Sequence, residues 1–95
     1  MFGFNNKPKH TIQELLTTGA LVVDVRSPEE FATGHYTNSV NIPLGTLSSA
    51  LPSLASKSTP IVVVCLSGGR SAAAVQILKR AGINAINGGA WASLK

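Results

Sequence analysis

The chain has 95 residues, 44% of them hydrophobic and 13% charged, with a formal net charge of +4. That length accommodates one compact domain, residues 1–95, and not two, and the composition describes a globular chain with a core. Its eight basic residues are scattered and aromatics make up only 5%, which argues against a nucleic-acid surface and leaves a mild attraction for small anions.

Residues 1–7 carry Phe2, Phe4 and Lys7 but no sustained apolar stretch with a cleavage site. No secretory signal is expected, the segment is read as flexible, and the protein as cytoplasmic. Thr11-Ile12-Gln13-Glu14 has capping-box form ahead of Leu15 and Leu16 and predicts a first helix that stops at Gly19. Leu21-Val22-Val23-Asp24-Val25 reads as a buried strand. Ser27-Pro28-Glu29-Glu30 is a second capping box, with Pro28 at the first helical position and Gly34 as the stop.

Val40-Asn41-Ile42 predicts a short strand closed by Pro43. Thr46 is placed to cap a helical turn carrying Leu47, Leu51 and Leu54, which Pro52 should limit, leaving residues 53–60 as a polar connector. Ile61 to Leu66 is the plainest strand, and it is far too short an apolar run to cross a bilayer. Ser71 to Ala81 reads as an amphipathic helix with Ala74, Ile77, Leu78 and Ala81 on one face and Gly82 as its stop. Ile83 to Ile86 is a last strand, ending in an Asn87-Gly88-Gly89 turn. Strands separated by helices imply a parallel sheet covered on both faces, whose ligands bind at the carboxyl ends of the strands. Asp24 to Arg26 and Cys65 to Arg70 both fall at such ends.

Cys65 is the only cysteine. A disulfide framework and a Cys-x-x-Cys site are thereby excluded, and with only two histidines a zinc site is not expected. Cys65 lies on a strand-to-helix turn, Cys65-Leu66-Ser67-Gly68-Gly69-Arg70-Ser71, where backbone amides and the helix dipole favour negative charge. The glycines let the loop turn its amides inward as an anion cradle, Ser67 and Ser71 offer hydroxyl donors, and Arg70 adds a charge expected to lower the thiol pKa further. Lowering it by about two units requires about 2.7 kcal/mol. A helix N-terminus supplies about 0.3–1 kcal/mol of that at an exposed site. This is the pattern of a thiolate nucleophile rather than a core thiol.

The chain resembles a single-domain rhodanese, a thiosulfate sulfurtransferase. The likeness lies in Asp24-Val25-Arg26-Ser27-Pro28-Glu29-Glu30-Phe31, then Gly34-His35, then Asn41-Ile42-Pro43; in Cys65-x-x-Gly68-x-Arg70-Ser71; and in Gly88-Gly89 followed by Trp91. The resemblance implies an α/β three-layer sandwich, with helices on both faces of a parallel, roughly five-stranded sheet. It implies that Cys65 takes the outer sulfur of thiosulfate as a persulfide held by the amides of residues 66–70, with Leu66, Ser67, Gly68, Gly69, Arg70 and Ser71 forming the donor site. It further implies a small anionic sulfur donor, a thiol, cyanide or thioredoxin-like acceptor, no metal or organic cofactor, no membrane or nucleic-acid partner, and a monomer.

Asp24 and Arg26 read as a pair bracing the loop rather than as catalysts, His35 as a packing or hydrogen-bonding residue, and Trp91 as a lid on the edge of the core. Ser71 is equally a helix cap or a donor to substrate. The family pattern after Gly-His is interrupted here by Tyr36-Thr37-Asn38-Ser39-Val40, which alters a surface turn. Two other functions compete with thiosulfate chemistry. One is a sulfur-relay or binding module charged only by a partner protein. The other is a phosphatase or arsenate reductase, which the four residues between Cys65 and Arg70 disfavour, since those enzymes resemble Cys-x5-Arg.

Overall fold

The computed structural model describes residues 11–94; the expectation that residues 1–7 are flexible lies outside them. In chain order the elements are α1 (Ile12–Thr17), β1 (Leu21–Asp24), α2 (Pro28–Ala32), β2 (Val40–Asn41), α3 (Leu47–Ala55), β3 (Ile61–Cys65), α4 (Gly69–Arg80) and β4 (Ala85–Ala90), with short 3-10 turns at Leu44–Thr46 and Trp91–Ser93. The sheet is wholly parallel in the order β2-β1-β3-β4. Among the described residues it has four strands, against the roughly five expected. No helix among them is long and apolar enough to cross a membrane.

Both capping boxes form as the sequence predicts. In α1, Glu14 N–H donates to Thr11 Oγ1 (3.1 Å) while Thr11 N–H donates to Glu14 Oε1 (2.8 Å). In α2, Glu30 N–H donates to Ser27 Oγ (3.2 Å) and Ser27 N–H to Glu30 Oε1 (3.1 Å). These reciprocal bonds satisfy amides that the first helical turn leaves without partners.

Alternation along β1 and β3 sorts the core into two layers. Val23, Val25, Ile61, Val63 and Cys65 face α3 and α4, packing with Leu47, Leu54, Ala74 and Leu78. Val22, Val62 and Val64 face the other way, against Leu15 of α1 and partly buried Trp91 and Leu94. All five residues of β3 are buried, as expected of a central parallel strand covered on both faces. Each large side chain so buried contributes about 1.5–3 kcal/mol. The same alternation gives Cys65 the parity of Ile61 and Val63, and so aims its thiol toward the start of α4.

Three local expectations are corrected. The helix carrying Leu47 and Leu54 runs on through Pro52 to Ala55, because both leucines are buried in the α4-side core. The missing amide would have pointed back to Ser48, an exposed residue. Asn87-Gly88-Gly89 is strand rather than turn: Val63 pairs with Asn87 and Val64 with Gly89, so Gly88 is the extra residue of a bulge. A Cβ on Gly88 would lie 2.7 Å from Val62 Cγ1, which is why the strand approaches β3 closely only as glycine. Finally, α4 begins at Gly69 rather than Ser71. The altered segment after His35 is a tight turn in which Ser39 N–H donates to Tyr36 O (3.0 Å) and Asn38 takes a left-handed φ of 68°, a conformation asparagine tolerates.

Candidate active site

Cys65 ends β3 and is 1% exposed. Gly68 at the N-cap of α4 has φ 106°, ψ −11°, a left-handed conformation natural to glycine. This turns its amide onto the thiol. Gly68 N–H donates to Cys65 Sγ at 3.0 Å, and Ser71 N–H reaches the same sulfur at 3.4 Å. Burial pushes the thiol pKa up. The Ser71 hydroxyl, then the Ser71, Gly68 and Ser67 amides, together more than offset this and leave it lowered to about 7. Near neutral pH the thiolate is therefore a major form.

Ser71 is buried and its hydroxyl is shared. Its Oγ lies 3.4 Å from Cys65 Sγ, donates to Asn87 Oδ1 at 2.6 Å and lies 3.1 Å from Gly68 O. A hydroxyl has one proton. With a neutral thiol, the S–H donates to Ser71 Oγ and the hydroxyl proton goes to Asn87. With a thiolate, that proton must turn to the sulfur. Asn87 is itself held by Gly89 N–H donating to Oδ1 (2.8 Å) and by its Nδ2 donating to Gly68 O (3.2 Å). Ser71 is thus neither the N-cap of α4 nor a surface residue. Ser71→Ala is expected to raise the thiol pKa by about one unit, read as an upward shift in the midpoint of the pH profile of iodoacetamide alkylation.

Arg70 acts on the thiol through its charge and is hydrogen-bonded elsewhere. Its guanidinium makes a bidentate pair with Glu30, Nη1 to Oε1 at 2.7 Å and Nη2 to Oε2 at 2.9 Å. That pair holds the Glu30 carboxyl down to about 2, chiefly through Arg70 and then the Ser27 amide. The guanidinium pKa is raised, mainly by Glu30, with smaller contributions from the Cys65 and Asp24 charges. The lowering of the thiol pKa comes chiefly from Ser71 and the loop amides, with Arg70 acting on the Cys65 charge only through space.

Asp24 and Arg26 are both buried and form a tight pair: Nε donates to Oδ1 (3.0 Å) and Nη2 to Oδ2 (2.8 Å). Arg26 then donates to the carbonyls of Glu30 (3.3 Å) and Gly34 (2.7 Å) and lies under Trp91, 4.8 Å from the ring centroid. Asn41 Nδ2 ties the carbonyls of Asp24 and Arg26 to β2. The pair braces the segment that carries Glu30, rather than the cysteine loop directly. His35 stacks on Phe31 (3.7 Å between centroids), and its Nδ1, facing the Phe31 carbonyl at 2.8 Å, carries the proton. Trp91 covers the α1-side core edge.

Leu66 is 60% exposed beside the thiol, and Ser67 and Gly69 are exposed with it. The two loop glycines differ. A side chain at Gly68 is strained by its φ, whereas a Cβ at Gly69 meets nothing within 4 Å. Gly68→Ala is expected to destabilise the domain by about 1–2 kcal/mol, while Gly69→Ala should be neutral or slightly stabilising. Paired urea melts check both.

Glu30 and Asn87 were not singled out for the site in the sequence. Glu30 is visible there as half of a capping box and Asn87 as part of an apparent turn, and each takes its second partner from a distant part of the chain.

A family model described as a rhodanese-like domain matches residues 9–91. A relative named thiosulfate sulfurtransferase GlpE, from Ectopseudomonas mendocina, is 34% identical over 74 residues, covering 78% of this chain and 67% of its own. An uncharacterized protein of Synechocystis sp. is 41% identical over 78 residues, or 80% of this chain, which spans only 42% of that protein's length. The crystal structure of a rhodanese-like domain protein from Staphylococcus aureus superposes with a TM-score of 0.70 at 37% identity, covering 82% of this chain and 84% of that one. A lone cysteine in an amide cradle at the carboxyl end of a parallel sheet, and a family match running nearly end to end, place this chain in the rhodanese-like domain family.

Proposed function

We propose that the protein is a sulfurtransferase working through a Cys65 persulfide. The observation that carries the reading is the cradle itself: a buried sulfur receiving the Gly68 and Ser71 amides. Such a site stabilises a thiolate before reaction and an anionic persulfide after it. The thiolate attacks the outer sulfur of thiosulfate, the Sγ–S bond forms, and the sulfur–sulfur bond to the sulfonate group breaks with its electron pair leaving as sulfite. An acceptor such as cyanide or a thiol then attacks the outer sulfur, and the pair returns to Cys65 Sγ. No metal or organic cofactor is required, and the chemistry suits a reducing compartment such as the cytoplasm.

Incubation with thiosulfate tests this: the intact protein gains the mass of one sulfur and sulfite appears in equal amount. A folded protein that yields neither removes thiosulfate as its donor. The second reading, a relay module charged by a partner protein, is favoured by one specific feature, the exposed Leu66 beside the thiol. It predicts charging by a protein persulfide and none by thiosulfate.

A further inference from the structure

We propose that Glu30 sets the charge selectivity of the Cys65 site, by occupying Arg70 and thereby favouring sulfur donors of low charge over the thiosulfate dianion. The inference rests on Cys65 being the reactive thiol and deepens the function proposed above by naming its donor class.

Among the described residues, the two basic side chains at the carboxyl end of the sheet are Arg26 and Arg70, and each is paired to a carboxylate, Asp24 and Glu30. Lys79 and Arg80 sit in the last turn of α4, at the far end of a twelve-residue helix that starts at the cysteine loop, about 18 Å away. Lys57 lines a hollow with Leu21 and Val22, at the opposite end of the strands from Cys65. Glu29, in the first turn of α2 beside Glu30, adds a further exposed negative charge. Among the described residues, the basic side chains are therefore not concentrated where an anionic donor would enter.

Glu30 is also a built counter-charge rather than a mobile one. Its Oε1 accepts from the Ser27 amide and hydroxyl, both at 3.1 Å, as well as from Arg70. Its backbone carbonyl is held by Arg26, and it stands in the first turn of α2, where the helix dipole favours a carboxylate. The pair consumes one N–H from each terminal nitrogen of Arg70, leaving three of the five guanidinium donors. An anion can still hydrogen-bond there, but it meets a neutralised arginine. The side chains of the pair remain 40% and 34% exposed, so the field they produce is felt at the mouth of the site. Exposed Leu66 offers an apolar contact to the organic body of a donor that carries less charge. The class selected is a sulfane-sulfur carrier with one negative charge or none, such as an organic persulfide or thiosulfonate.

The test compares the protein with Glu30→Gln, Arg70→Ala and the double variant. Glutamine keeps one oxygen for the Ser27 cap, removes the charge and replaces the oxygen that accepts from Arg70 Nη2 with an amide donor, so that Arg70 is released. Cys65 is the sole thiol, so its alkylation by iodoacetate and by iodoacetamide reports the local field: the ratio of the two rates cancels changes in thiolate fraction. Glu30→Gln is expected to raise the iodoacetate-to-iodoacetamide ratio by about fivefold at low salt. It should lower the KM for thiosulfate by a similar factor, and that for the singly charged benzenethiosulfonate by less. Arg70→Ala alone, which leaves Glu30 uncompensated, should lower the ratio, and the double variant, which removes both charges, should return it to near that of the unaltered protein. An unchanged ratio in Glu30→Gln, or a double variant whose ratio stays as high as that of Glu30→Gln, overturns the inference. A rise that the double variant loses, with no turnover of either sulfur donor in any variant, upholds Glu30 as the charge device at Cys65 and overturns thiosulfate turnover, leaving the relay charged by a partner protein.

Discussion

Cys65→Ser is expected to abolish sulfur transfer, lowering thiosulfate turnover by about three orders of magnitude or more, because no other group in the chain can form the persulfide. The fold should survive. The serine oxygen occupies nearly the same position and can accept from the Gly68 and Ser71 amides that now serve the sulfur, so the cost to stability is about 1 kcal/mol. Turnover and a thermal melt on the same preparation separate the two effects. The pH dependence has a definite sign. With the thiol lowered from 9.0 to about 7, the reactive form grows as pH rises through about 7 and is lost below it. The same depression means that thiolate formation stabilises the fold fully only above about pH 9, a contribution that disappears as pH falls through about 7.

Arg26→Met should have the largest effect on stability. It strips the cation from Asp24, a carboxylate with no exposed surface, and also removes the donors to the Glu30 and Gly34 carbonyls. Breaking a buried pair in this way costs about 3–5 kcal/mol, a large share of the roughly 5–15 kcal/mol that holds a domain together. For a chain of this size the midpoint of thermal unfolding should fall by roughly 12–40 °C. Replacing both partners together, Asp24→Leu with Arg26→Met, should recover part of the loss, since it leaves no bare charge in the core. A double variant no more stable than Arg26→Met alone would mean that the carbonyl contacts, not the ion pair, carry the effect.

What could be read from the sequence was what neighbouring residues decide among themselves. The capping boxes at Thr11–Glu14 and Ser27–Glu30 were legible because each joins groups three residues apart. The strand Ile61–Cys65 was legible because an unbroken β-branched run has few other uses. Cys65 and its loop were legible for the same reason, a thiol, a pair of glycines and an arginine within six residues.

Most of the misreadings turn on contacts beyond the local sequence. Pro52 was taken as a helix limit, but Leu47 and Leu54 bury themselves on either side of it and hold the helix together. Asn87-Gly88-Gly89 has the composition of a turn, yet pairing with β3 draws it into the sheet, and Gly88 is glycine because Val62 is packed where its side chain would be. The action of Arg70 on the Cys65 charge follows from their closeness in sequence, but the residue it bonds does not. Its actual partner stands forty positions earlier, already engaged in a local cap that gave no sign of a second bond. Asn87 was missed in the same way, since its contact with Ser71 spans sixteen positions.

The central claim is that Cys65 carries sulfur. It is tested most directly by mixing the reduced protein with thiosulfate, removing excess reagent and weighing the intact chain. The account predicts a single added sulfur, discharged by cyanide with formation of thiocyanate and absent from Cys65→Ser. A well-folded protein whose mass is unchanged by thiosulfate and by an organic persulfide alike would contradict it.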